Sequence, residues 1–95
     1  MRAELDMNRL REDLRKELQE VEMVRMGATI KALREAYGWQ VGKFAIAIGT
    51  THPHLSNIES GRRRCTPVMA RKVAQVLGVP LAAITSSYTP EEIGA

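Results

Sequence analysis

Cysteine and aromatic residues are scarce in this sequence of 95 residues. The single cysteine, Cys65, excludes an intramolecular disulfide and a zinc cage built from cysteines. The four aromatic residues are too few to form a core, which must therefore consist mainly of Leu, Ile, Val, Met and Ala. The longest apolar run, Phe44 to Ile48, is far shorter than the ~20 residues that cross a membrane, and no signal-peptide pattern is present. We therefore expect a reduced, cytoplasmic protein without membrane association.

The sequence also lacks the side-chain sets that catalysis requires. It contains no paired carboxylates, no nucleophile with a neighbouring base and no glycine-rich phosphate loop. Its two histidines, His52 and His54, have no thiol or carboxylate close by with which to hold a metal ion. We expect no enzymatic activity, no metal and no cofactor.

Charge is distributed unevenly along the chain. Residues 1–26 carry six basic and seven acidic side chains, whereas residues 27–95 carry eight basic and only four acidic ones. The net charge is therefore −1 in the first segment and +4 in the second. A small basic domain favours a polyanionic partner, and nucleic acid is the commonest polyanion.

Residues 1–26 contain neither glycine nor proline and are rich in strong helix formers. We predict a helix over about residues 3–25 that ends before Gly27. It has one apolar stripe, formed by Met7, Leu10, Leu14, Leu18 and Val21. If this helix ran straight into the next, the stripe would point roughly 130° away from the apolar positions that follow. We therefore expect the stripe to bind a second copy of the chain. Folding back onto its own domain and docking onto another protein are the alternatives.

After Gly27 the apolar positions recur with helical spacing, in segments bounded by Gly38, Gly49, Gly61 and Gly78. No pair of strands is indicated, so the sequence predicts an all-α fold. The informative stretch is VGKFAIAIGTTHPHLSNIES. A helix of about eight residues ends there at Gly49, and a second begins after a cap at Thr51, which is the build of a helix-turn-helix. The second helix leaves a polar face that suits the DNA major groove.

Residues 28–86 resemble the Cro/phage-repressor (XRE-type) helix-turn-helix family. The resemblance rests on three motifs: IKALREAYGW, FAIAIGTTHPHLSNIESGRRR and TPVMARKVAQVLGVPLAAI. It implies a five-helix lambda-repressor-like DNA-binding domain over residues 27–86. An amphipathic arm at residues 1–26 precedes this domain, and a polar tail at residues 87–95 follows it. It also implies a homodimer on a palindromic double-stranded operator, in a bacterial or phage-infected host cell.

The resemblance also implies roles for individual residues. Together with the polar face of the second helix, it predicts base contacts from His52, Pro53, Ser56 and Asn57. Family members often place a phosphate-binding Gln where this sequence has Val41, so we expect that contact from a neighbour. The predicted phosphate ligands are Gln40, Lys43, Thr51, Arg62, Arg63 and Arg64. We also predict a structural ion pair between Arg34 and Glu59.

These inferences predict a sequence-specific double-stranded DNA-binding transcriptional repressor of the phage Cro or immunity-repressor type. Such a protein reads an operator through a recognition helix in the major groove. The alternative is the antitoxin of a toxin–antitoxin pair, which would bind its toxin through residues 1–26 and repress its own operon.

Overall fold

The computed structural model describes the backbone of residues 2–85 and the side chains of residues 6–85. Within this part of the chain the fold is entirely helical, which confirms the predicted class. Four α-helices are followed by one turn of 3-10 helix at Leu81–Ala83. The α-helices are α1 (Arg2–Ala36), α2 (Val41–Ala47), α3 (His52–Glu59) and α4 (Pro67–Leu77). The predicted polar tail at residues 87–95 lies outside the described residues.

The predicted helix break at Gly27 is wrong. Instead, α1 runs without interruption through this position for 35 residues, so the N-terminal arm and the first helix of the domain are one element. Gly27 is buried where α1 crosses the end of α3. A Cβ atom here would collide with the carbonyl oxygen of Ile58 and lie 2.7 Å from that of Glu59. The glycine is therefore required for close contact between two helices rather than for ending one.

The helix count also differs from the predicted arrangement of five domain helices after a separate arm. The predicted arm and the first domain helix form one continuous helix, α1. The last predicted helix is only the 3-10 turn at Leu81–Ala83. Gly78 ends α4 and leads into this 3-10 turn. Its φ of 72° lets the chain change direction there at little conformational cost.

The core lies entirely between Met26 and Ile84. Phe44 is its most central aromatic side chain, and Trp39 packs edge-on against it with ring centroids 5.5 Å apart. The aliphatic side chains at the centre come from α1, α3, α4 and the residue that follows α2: Ile30, Ile48, Leu55, Ile58 and Val73. The core therefore holds α2 and α3 in place against the rest of the domain, as a helix-turn-helix requires.

The N-terminal part of α1 extends beyond this core. Every described residue from Asp6 to Val21 is exposed, and the five residues of the apolar stripe are between 50% and 70% exposed. The stripe does not fold back onto its own domain. At Glu22 contact with the domain begins, since its carboxylate accepts a hydrogen bond of 3.2 Å from the Thr85 hydroxyl. None of the described helices has the apolar length needed for a membrane span.

Candidate nucleic-acid interface

The turn between α2 and α3 is set by Gly49 and Thr51. Gly49 has a φ of 78°, a left-handed conformation that glycine adopts more cheaply than other residues. The backbone then turns back on α2 through a hydrogen bond of 2.8 Å from Thr50 N to Ala45 O. Thr51 caps α3, because its hydroxyl accepts a hydrogen bond of 3.2 Å from His54 N. This short turn holds α2 and α3 in a fixed relation.

The two faces of α3 differ in chemistry. Leu55, Ile58 and Glu59 are buried on the inner face, where they hold the helix to the domain. The four predicted base-contacting residues occupy the other side. Among them, His52 and Pro53 are exposed, while Ser56 and Asn57 are half-buried at the edge. The structure thus brings together one imidazole, one hydroxyl, one amide and one apolar ring on a single outward surface, which we call the reading face.

Arg34 and Glu59 form a bidentate ion pair beneath this surface. The Arg34 Nε atom lies 2.7 Å from Glu59 Oε2, and Arg34 Nη2 lies 3.2 Å from Glu59 Oε1. Arg34 Nη1 also donates to the Trp39 carbonyl oxygen at 2.7 Å. Both side chains of the pair are more than nine-tenths buried. The predicted ion pair therefore joins α1 to the end of α3, and Arg34 also joins α1 to the loop that precedes α2. These contacts fix the orientation of the reading face.

Two glycines allow α1 to approach the end of α3, and the sequence indicated neither role. Gly27 contacts the α3 backbone, as described above. Gly61, with a φ of 82°, packs against Val24, and a Cβ atom there would lie 3.0 Å from Val24 Cα. In the sequence both glycines resemble simple helix terminators, because only the tertiary structure shows what lies against them.

The arginine segment Arg62–Arg64 begins where α3 ends. The backbone N–H groups of Arg62 and Arg63 both donate to the Asn57 carbonyl oxygen, at 2.9 and 3.1 Å. The Ser60 hydroxyl donates to the same oxygen at 3.1 Å. All three arginine side chains are exposed. A loop anchored to α3 in this way presents positive charge directly beside the reading face.

The entry to α2 supplies further exposed polar groups. Val41, at the position where the family resemblance predicts Gln, is half-buried and packs against the core. Gln40 and Lys43 on either side of it are exposed. Thr51 is exposed as well, although its hydroxyl already caps α3.

One further basic residue, Lys31, lies near this surface, and its position could not be predicted from the sequence. Lys31 is exposed on α1 and lines an open cleft together with Ser56 and Ser60 of the α3 region. Arg34 and Glu59 form part of the same cleft. Lys31 is distant in sequence from the predicted site, so only the packing of α1 against α3 could reveal it.

Two short helices joined by a tight turn, with the second held by its inner face, define a helix-turn-helix protein. Residues 25–85 match the helix-turn-helix domain family. The chain belongs to this family, a class of DNA-binding regulators, and the predicted family resemblance is confirmed.

A comparison with solved structures gives the same fold. The crystal structure of the restriction-modification controller protein C.AhdI from Aeromonas hydrophila superposes with a TM-score of 0.65 at 23% sequence identity. The alignment covers 67% of this chain and 97% of that chain. No curated protein matches the sequence.

Proposed function

We propose that this chain is a sequence-specific transcriptional repressor that binds double-stranded DNA with α3 in the major groove. The observation that carries the proposal is the reading face, which is polar, outward and held by a buried ion pair. The fold shared with a restriction-modification controller protein supports a role in gene control. The type of regulator we favour is that of phage Cro and immunity repressors.

The reading face has the chemistry for base recognition. The Asn57 amide can form two hydrogen bonds with the edge of adenine, an interaction worth about 1–3 kcal/mol of discrimination against other bases. His52 and Ser56 can each bond one base edge. Pro53 has no N–H group, so its ring can only contact the methyl group of thymine.

The surrounding groups bind the sugar–phosphate backbone in this proposal. They are the predicted ligands Gln40, Lys43, Thr51, Arg62, Arg63 and Arg64, joined by Lys31 from the cleft. Because these contacts surround α3 on several sides, they fix its register on the duplex without reading sequence. They also make the affinity depend strongly on salt.

Repression requires only that the protein occupy its operator and block the polymerase. We propose no catalytic step, metal or cofactor, and we place the protein in the cytoplasm of a bacterial or phage-infected cell. Binding as a homodimer, through the apolar stripe, would set two copies of α3 about 34 Å apart along a palindromic operator.

The exposed apolar stripe also favours a second candidate function, that of an antitoxin. In that case a toxin would cover the stripe, and the helix-turn-helix domain would repress the shared operon. A purified complex with the stripe buried against a different protein would favour this candidate.

Selection of duplexes from a random pool tests the proposed function. We expect an enriched site of two half-sites related by inversion and centred about one helical turn apart. Recovery of no preferred sequence would contradict sequence-specific binding. Recovery of a single, non-repeated half-site would contradict dimeric binding while leaving the reading face in place.

A further inference from the structure

The exposed part of α1 is a helix without tertiary support. From Asp6 to Val21 every side chain is exposed, while isolated helices of this length are only marginally stable in water. Its apolar stripe is the feature that could supply the missing stabilisation. The identity of the partner follows from where the domain lies and from the charges beside the stripe.

The domain lies on the other side of α1 from the stripe. Of the described α1 residues, Met26, Gly27, Ile30 and Arg34 are buried in it, and at 3.6 residues per turn they fall roughly opposite the stripe. The stripe side continues instead through Ala28 and Ala32, which are exposed. A second helix could therefore lie along this side of α1 without meeting the domain of its own chain.

Charges of opposite sign border the two edges of the stripe. One edge, the acidic edge, consists of Asp6, Asp13, Glu17 and Glu20. The other, the basic edge, consists of Arg11 and Arg15, and Arg25 lies at the end of the stripe on the same side of its centre. Glu22 also falls on the basic side, but its carboxylate is held by the Thr85 hydroxyl and lies 4.0 Å from Arg25 Nη1. All members of the two edges are exposed.

We propose that the stripe binds the same stripe of a second copy of this chain, with the two α1 helices parallel. In a parallel pair the acidic edge of each helix meets the basic edge of its partner, which places Asp6 near the partner's Arg11 and Glu20 near the partner's Arg25. In an antiparallel pair like-charged edges meet and repel. The opposite edges thus select both the partner and its direction.

Parallel pairing also determines how two copies of the chain would meet DNA. This step of the argument rests on the proposed function. It places both domains at the same end of the helix pair, on its outer sides. The two-fold axis then runs along the pair, and it relates the two reading faces as the two-fold axis of an inverted repeat relates its two half-sites. One duplex with an inverted repeat can meet both of them.

Disulfide trapping tests the pairing in the absence of DNA, so its result is independent of whether the protein represses. Met7→Cys and Val21→Cys are made separately, each in the full chain. Position 7 lies beside position 7 of the partner in a parallel pair and beside position 21 in an antiparallel one. The unaltered chain, whose Cys65 is buried, is the control for background cross-linking.

Under mild oxidation we expect each variant to form its own covalent dimer. A co-refolded mixture should contain no disulfide between positions 7 and 21, as judged by mass. A predominant 7–21 disulfide would overturn the parallel arrangement. Absence of cross-linking in both variants would overturn self-association through the stripe.

Charge reversal tests the role of the edges. In a chain with Asp6→Lys and Glu20→Lys, basic residues face the partner's Arg11 and Arg25, and we expect its dimer to dissociate about 10-fold more readily than that of the unaltered chain. In a chain with Arg11→Glu and Arg25→Glu, acidic residues face the partner's Asp6 and Glu20, and its dimer should be weakened similarly. Mixing the two chains should restore a heterodimer. Unchanged dimerisation of either reversed chain would contradict the proposal.

Discussion

At the scale of single residues, the reading face depends on a buried ion pair that lies behind it. Removing one partner of such a pair leaves a buried charge without compensation, which typically costs 3–5 kcal/mol. We predict that Glu59→Gln lowers the free energy of unfolding by about that range, because Arg34 keeps its charge. Urea denaturation measures the change.

The double variant Arg34→Met, Glu59→Leu is the matched comparison. It removes both charges, and we expect it to recover much of the lost stability. If the single and double variants are equally unstable, the pair is not what holds α3 to α1.

Gly27 gives a second prediction at this scale. Gly27→Ala should lower stability by about 1–3 kcal/mol, because the new methyl group must push α1 away from the α3 backbone. Gly42→Ala is the control, since Gly42 lies in α2 with open space where its Cβ would be. Thermal unfolding should show the first variant destabilised and the second unchanged or slightly stabilised. Equal stability of the two variants would contradict the close crossing.

Arg63 gives a third prediction, which concerns DNA. If its guanidinium binds a phosphate, Arg63→Ala should weaken binding to all duplexes alike. It should also reduce the slope of log K against log salt by about 0.9. Arg9→Ala makes the same charge change far from α3 and serves as the control. An unchanged slope for Arg63→Ala would exclude Arg63 as a phosphate ligand.

At the scale of elements, the sequence is informative where helix boundaries follow local rules. Thr51 and Thr66 cap α3 and α4 as their hydroxyl groups suggest, and Gly49 and Gly78 stand at the predicted ends. The break in α1 was wrong because a glycine that permits close packing has the same local signature as one that ends a helix. The cleft position of Lys31 was missed for a related reason, since it depends on contact between distant segments.

For α1, we predict that its apolar stripe forms the contact between two copies of the chain. Leu14→Gln, Leu18→Gln keeps helix propensity and removes the apolar contact. We predict that this chain is monomeric in sedimentation and loses part of its helical circular dichroism, because the exposed segment is unstable alone. Arg9→Gln, Lys16→Gln, on the opposite side of α1, should remain dimeric. A dimer that persists after the leucine changes would place the interface elsewhere.

At the scale of the whole molecule, the chain combines a compact reading domain with a long helix that projects from it. In the function we propose, this arrangement separates two tasks, since α3 would contact the bases and α1 would bind the second copy of the chain. Opposite sides of α1 serve the two parts: one side packs against the domain and the other is exposed. The sequence indicated this separation through the roughly 130° rotation between the two apolar patterns.

The most direct test of the account is to repeat the duplex selection with Asn57→Ala. We predict that the enriched site keeps its length and the spacing of its half-sites, because the backbone contacts and the pairing of α1 are unchanged. The preference at one symmetric pair of positions should fall by about 1–3 kcal/mol. An enriched site identical to that of the unaltered chain, with His52→Ala also giving the same site, would contradict base reading by α3.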